Sequence, residues 1–418
     1  LRAQQPLRSN DIRERNEKLV LHLIYTHENI SQSEMVHLTG LKPPTVYRIF
    51  SLLEERGLIY PVGEASVAAD RKGRRPSPYS VVPSAHYSIG VDFWARTAAV
   101  TLFDFAGKIV YRRSTVFESE ISATEVTEEL VRLIGEATRS GQVSDDRLLG
   151  IGIGAPGVVD VENGVVVEYE RIGGMRGYDL GPRIADRFDI PVEVHNNCSV
   201  IALGAHRYGR AERYDCLGVL LVRSGMGGAL IRGGQLYVSQ NRTAIEIGNF
   251  LVTSAESDYL LRERGIRPYG GLNEHQNGQV ATGGPRQVRA TKLEDFICED
   301  TIFRTVSAAC GVESWEELDL RLRNGEKEMT DVLAPFGELF SNAALDFSLL
   351  LNPEAVMIVS RFRSLSEYFG RELARRMPKG SDSVRINVVE ILSEEYDATL
   401  ACRGAADLIL DTYFSVRH

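Results

Sequence analysis

The residues of this 418-residue chain that could do chemistry fall into two sets. The first is basic and lies near the start. Lys42, Thr45, Tyr47 and Arg48 share one short stretch, and Arg71-Lys72-Gly73-Arg74-Arg75-Pro76 follows. Side chains near the N-terminus of a helix in the major groove reach base edges. A Gly-Arg segment stiffened by proline makes a thin chain suited to a narrow minor groove, where Arg74 and Arg75 would meet enhanced negative potential. A basic spacer between domains would read the same way. The second set is Asp92 at the end of an apolar run, Asn196-Asn197 after another, and Ser224-Gly225-Met226-Gly227-Gly228 between two more. A glycine-rich turn cradles phosphate on backbone N–H groups; a plain hairpin satisfies the same pattern.

The elements that must position the basic set are legible. Ile12, Leu19, Val20, Leu23 and Ile24 recur at helical spacing and predict a helix over 11–25. Ser31 with Glu34 matches a capping box that opens a short second helix, and Gly40 ends it. Pro43 or Pro44 starts a third helix, with Val46, Ile49, Phe50 and Leu53 as its buried stripe and Thr45, Tyr47, Arg48 and Ser51 on the opposite face. This is the helix-turn-helix plan. A short strand over 57–60, a small-residue turn and the basic segment suggest a wing.

Charge divides the chain in the same place. Residues 1–86 hold twelve basic and nine acidic residues, a net of +3, which leaves −12 on the rest of a chain whose net charge is −9. A basic end on an acidic body suggests a nucleic-acid module joined to a regulatory or enzymatic one. In the body, strands at 87–92, 98–103, 109–112, 148–153 and 192–194 are interrupted by an amphipathic helix over 125–138. A second cycle begins at Leu217. Hairpins followed by crossovers predict an α/β body. The five cysteines (Cys198, Cys216, Cys298, Cys310, Cys402) are odd in number and show no C-x-C or C-x-x-C spacing. They predict small core residues in a reducing cytoplasm rather than disulfides. No run of 18 apolar residues predicts a membrane span.

In order and spacing, several motifs resemble the ROK family (repressor, open reading frame, kinase), in its transcriptional branch. They are Leu38-Thr39-Gly40-Leu41-Lys42-Pro43-Pro44-Thr45-Val46, Gly73-Arg74-Arg75-Pro76, Ile89-Gly90-Val91-Asp92, Ile151-Gly152-Ile153-Gly154-Ala155-Pro156-Gly157, Asn196-Asn197, Ser224-Gly225-Met226-Gly227-Gly228 and Glu246-Ile247-Gly248-Asn249. The resemblance implies an N-terminal winged helix-turn-helix followed by a two-lobed actin/hexokinase-like (ribonuclease H-like) body. The implied boundaries are 1–82 for the DNA-binding domain with its basic wing, 83–194 for the first lobe with 395–418 returning to it, and 195–394 for the second. It implies double-stranded DNA with a palindromic operator as partner, a sugar or sugar derivative as effector, and a homo-oligomer.

The departures from the family pattern bear on activity. Family kinases carry Gly-Gly-Thr-Lys soon after the first Asp; here Phe93-Trp94-Ala95-Arg96-Thr97 stands there, and bulky rings are expected to obstruct ATP. The family's catalytic Asp position holds Asn197, and an amide is no base near neutral pH. Ser360-Arg361-Phe362 replaces a late glycine loop. Asn249 stands where a zinc-binding His would, and no cysteine cluster follows, so no zinc and no cofactor are expected. The sugar side is expected to use Asn196, Asn197, Glu246, Asn249 and, in the Asn place of a nearby loop, Arg171. The cleft would thereby lose a negative group and gain a positive one, unless Arg171 is merely solvated. The leading expectation is a non-catalytic, sugar-responsive repressor. A body serving only oligomerisation or protein partners, and a sugar kinase, are the alternatives.

Overall fold

The computed structural model describes residues 9–27, 29–62, 77–239, 244–269, 291–377 and 389–415. It begins with three helices, α1 (Ser9–Thr26), α2 (Gln32–Thr39) and α3 (Pro43–Glu55). The capping box at the start of α2 forms in both directions: Glu34 N–H donates to Ser31 Oγ at 3.3 Å, and Ser31 N–H donates to a Glu34 carboxylate oxygen at 2.8 Å. Such a cap contributes about 1 kcal/mol. Gly40 closes α2 at φ +67°, a left-handed conformation that glycine adopts without a Cβ clash. α3 opens with proline in its first turn and buries Val46, Ile49, Phe50 and Leu53, the expected stripe. Each such side chain contributes roughly 1.5–3 kcal/mol by leaving water. The stripe of α1 differs from expectation. Val20, Leu21 and Ile24 are buried, whereas Ile12 and Leu19 are exposed because the core-facing side of α1 is narrower than the apolar spacing suggests. Strands Ile59–Pro61 and Pro78–Val81 pair antiparallel, and Ile30–Ser31 adds a third strand beside the second. The segment joining the first two strands, with Arg74 and Arg75, lies outside the described residues.

The body holds two five-stranded sheets of one topology. In chain order the first contains Tyr87–Phe93, Thr97–Asp104, Ile109–Val116, Leu148–Ala155 and Val192–Asn196. The second contains Cys216–Val222, Met226–Arg232, Gln235–Leu236, Ala355–Ser360 and Glu390–Glu395. Each is arranged third, second, first, fourth, fifth; the first three strands are antiparallel and the last two parallel. The expected boundary at 194 falls within the first sheet's last strand, Val192–Asn196. The second sheet's last strand, Glu390–Glu395, ends at the expected start of the return.

Two helices lie between the sheets: Asn197–Tyr208 and the closing helix Ala398–Phe414. Val200, Leu203, Ala401, Ala405 and Leu408 share a buried cluster there with strand residues of the second sheet. A Cβ on Gly90 would collide with the Cys402 carbonyl, so glycine is required where the closing helix crosses the first sheet. The closing helix also reaches the N-terminal domain. Leu410 belongs to the same core as Val20, Ile24 and Phe50, and the Phe414 ring meets His22 at 4.9 Å and Tyr25 at 5.3 Å.

Candidate functional site

On the N-terminal domain, α3 presents Tyr47 and Arg48 to solvent, with Lys42 exposed at its N-cap and Thr45 half-buried at its start. These four candidates therefore share the outer N-terminal part of one helix. Arg74 and Arg75 fall outside the described residues.

The body carries a cleft of about 790 Å³ between the lobes. Arg171, Asn196, Asn197, Glu246 and Asn249, dispersed over 79 positions of sequence, all line it. Asn197 opens a helix and Asn249 ends a short 3-10 helix, while Arg171 and Glu246 lie in connecting segments. Asn196 ends the last strand of the first sheet and caps the following helix: its Oδ1 accepts from Cys198 N–H at 2.8 Å, and its Nδ2 donates to Gly157 O at 2.6 Å. Asn197 is 1% exposed. Its Nδ2 donates to Asp92 Oδ1 at 2.7 Å, with Gly154 O and Phe93 O at 3.2 and 3.3 Å, while its buried Oδ1 has no partner. Asn249 Nδ2 lies 3.4 Å from a Glu246 carboxylate oxygen; the other Glu246 oxygen is buried and unpartnered. Burial, with Glu294 as the next cause, raises the Glu246 carboxyl to about 7.

One end of the site is filled by protein. Trp94 Nε1 donates to Asp92 at 3.0 Å and approaches Tyr396 Oη at 3.2 Å, and the Tyr396 hydroxyl donates to Asp92. The Arg223 guanidinium lies 4.1 Å from the Tyr396 ring centre and 5.0 Å from the Trp94 ring. Its Nε is 2.7 Å from a Glu299 carboxylate oxygen, and Arg361 reaches the other at 2.9 Å. Trp94 and Asp92 belong to the first lobe, Arg223, Glu299 and Arg361 to the second, so this cluster joins the lobes. Complete burial outweighs the hydrogen bonds to Asp92 and raises its carboxyl to about 6. Of the two rings expected to obstruct this end, Phe93 does not: it is fully buried in the first lobe's core, because successive strand side chains face opposite ways, and Trp94 alone meets the cleft.

The glycine-rich segment resolves as a hairpin. Cys216–Val222 pairs antiparallel with Met226–Arg232 across a turn closed by Arg223 N–H donating to Gly225 O at 2.9 Å. Gly225 leaves room for Glu294, whose Oε2 lies 2.7 Å from where a Cβ would stand.

Arg171 stands in the cleft lining, where the alternative had it merely solvated. Its side chain is 12% exposed, paired with Asp300 and set 3.4 Å over the Tyr269 ring. Glu168, Glu170, Glu246, Glu294 and Asp295 line the cleft against Arg171 and Lys292, so its described lining is acidic. Glu294, Asp295, Lys292 and Tyr396 carry no motif that single-sequence reading could have flagged. Arg223 stands directly before the glycine-rich segment, the one available signal. Among the described residues there is no group of three or more His, Cys, Asp or Glu side chains able to hold a metal ion. All five cysteines are free, and burial raises the Cys198 and Cys402 thiols. No described helix is long and apolar enough to cross a membrane.

Comparison with known proteins matches these features. The family model described as "ROK family" covers residues 88–412. A protein named putative xylose repressor, from Caldicellulosiruptor sp. (strain Rt8B.4), is 26% identical over 365 residues, 87% of each chain. The crystal structure of a ROK family transcriptional regulator, a homologue of the E. coli MLC protein, superposes with a TM-score of 0.74 over 97% of both chains at 19% identity. A ROK family glucokinase from Streptomyces griseus, in complex with glucose and AMPPNP, gives 0.59 over 77% of this chain and 98% of its own at 18% identity. By the reach of the family model over both lobes and the closing helix, this chain belongs to the ROK family.

Proposed function

We propose that the chain is a DNA-binding transcriptional regulator, acting as a repressor, whose body holds a small sugar-class effector in the interlobe cleft and leaves it unchanged. The observation that carries this reading is the state of the cleft. It is open where Asn197, Glu246 and Asn249 face it, and closed where Trp94, Tyr396 and Arg223 meet around Asp92. Phosphoryl transfer depends on positioned phosphates and a base at the attacking hydroxyl. Here an indole and a guanidinium crowd the Asp92 end, and the position of the base is an amide. The names of the relatives support a regulator that responds to a sugar.

The helix-turn-helix domain supports DNA binding, with Lys42, Thr45, Tyr47 and Arg48 as readers and Arg74 and Arg75 as groove or phosphate contacts. One such domain per chain suits a homodimer on a two-fold symmetric site. The closing helix supplies a route between the two functions. It starts two residues after Tyr396 and ends against α1, where Lys18 Nζ donates to Ser415 O at 2.7 Å. An effector that favours one lobe arrangement thereby biases the DNA-reading helices, the differential affinity that allostery requires.

The test is operator binding by the full-length protein, with and without sugars, beside an ATP-consumption assay. Arg48→Ala is expected to relax base preference at one position and cost about 1–3 kcal/mol. Arg74→Ala with Arg75→Ala is expected to weaken binding and flatten its salt dependence. ATP turnover with any sugar would overturn the non-catalytic reading.

A further inference from the structure

The open half of the cleft has a chemical bias that neither the fold nor the family assignment states. Its two described cations are fewer than its carboxylates: Arg171 is paired with Asp300, and Lys292 Nζ comes no nearer to Glu294 than 3.9 Å. Its acceptors are in surplus. The carboxylates of Glu168, Glu170, Glu246, Glu294 and Asp295 face one space. Two acceptor oxygens in it have no donor at all: Asn197 Oδ1, on a side chain 1% exposed whose amide hydrogens are spent on Asp92 and on backbone carbonyls, and Glu246 Oε1. Buried acceptors without donors are costly and are satisfied when a ligand brings hydrogens to them. Glu294 Oε2 lies 3.1 Å from where a Cβ on Gly248 would stand, two residues from Glu246, and both carboxylates line the cleft, so the two share one corner of it. A cation placed with them removes their mutual repulsion; an anion adds to it.

We infer that the cleft selects a donor-rich polyhydroxylated ligand with no anionic substituent, and that an ammonium group on such a ligand is held by Glu246 together with Glu294. The ligand class is therefore unphosphorylated sugars, with amino sugars preferred over their hydroxyl parents. Glu294 enters as a specificity residue: Gly225, at the turn of the hairpin, leaves it the space to face the cleft. This rests on the reading of the cleft as an effector site.

The experiment is calorimetric titration and thermal shift of the full chain with matched series built on glucose, galactose, mannose and xylose. Each series contains the parent sugar, its amino derivative, its phosphate and its uronic or aldonic acid. The expected result is one series in which the amino sugar binds several-fold tighter than the parent and at least tenfold tighter than the phosphate and the acid. In Glu294→Gln, with its melting temperature preserved, the preference for the amine falls to within twofold of the parent, and the phosphate gains. A phosphate or acid that binds as tightly as its parent overturns the inference and leaves the effector reading standing. An amine no tighter than its parent, or a preference unchanged in Glu294→Gln, overturns the role of the carboxylate pair. Binding by no member of any series overturns the effector reading itself, and the inference with it.

Discussion

The two ends of the interlobe cleft draw residues from both lobes, yet they have opposite character. At the Asp92 end the charges are paired by protein side chains: Asp92 accepts from Trp94, Tyr396 and Asn197, and Glu299 lies between Arg223 and Arg361, although Arg223 Nε and Glu299 Oε1 approach without hydrogen-bond geometry. At the Glu246 end the acceptors outnumber their donors and face a cavity. The first is organised as a folded interior is, the second as a binding site is. The side chains at one end thus join the lobes directly, while the other end keeps acceptors without donors.

The comparison can be broken at its strongest point first. Arg223→Ala removes one partner of a buried ion pair and the cation lying over Trp94 and Tyr396. It is expected to cost about 3–5 kcal/mol in urea unfolding; a loss below about 1 kcal/mol would mean that the cluster does not hold the lobes. The pH dependence of the same end is the next test. The Asp92 carboxyl is raised to about 6, so the folded state holds its proton more tightly than the unfolded chain. Its stabilising contribution is full below about pH 4 and is lost as pH rises through 6. Relative to Asp92→Asn, the wild-type protein is expected to lose on the order of 3 kcal/mol across that window. A constant difference between the two from pH 4 to 7 would remove Asp92 as the cause.

Asn197→Asp joins the two ends. The amide that donates to Asp92 becomes a carboxylate facing it, so one of the two must stay protonated. A loss of about 1–3 kcal/mol near neutral pH is expected, with ATP consumption still at background because Trp94 and Arg223 remain in place. Turnover in this variant would show that the Asp92 end is not obstructed. The smallest effect belongs to the open end. The Glu246 carboxyl is raised to about 7, chiefly by burial, so the wild-type protein loses stability as pH rises through 7. Glu246→Gln is expected to be more stable than wild type by about 1 kcal/mol at pH 8, allowing for solvent screening, and equal to it at about pH 4. Its melting temperature at the two pH values checks this.

Much of this was legible in local sequence, because local rules act over a few residues. Ser31 and Glu34 form their capping box, Gly40 ends α2, and the stripe Val46, Ile49, Phe50 and Leu53 is buried as its period requires. Asp92, one residue before the end of its strand, and the Asn196-Asn197 pair were also visible, since a polar residue closing an apolar run marks the end of a strand. Orientation within the cleft was not. Phe93 and Trp94 are adjacent and similar in sequence; only the pleat and the packed first lobe send one into the core and the other into the cleft. Tyr396 reaches Asp92 across 304 positions, and Glu299 reaches Arg223 from another element. Residue types and spacings thus determined the helices, the strands and the kinship of the chain. The partners of its charges, and hence which end of the cleft is closed and which is open, were decided only when two lobes of one topology met, because electrostatics and packing depend on distance in space.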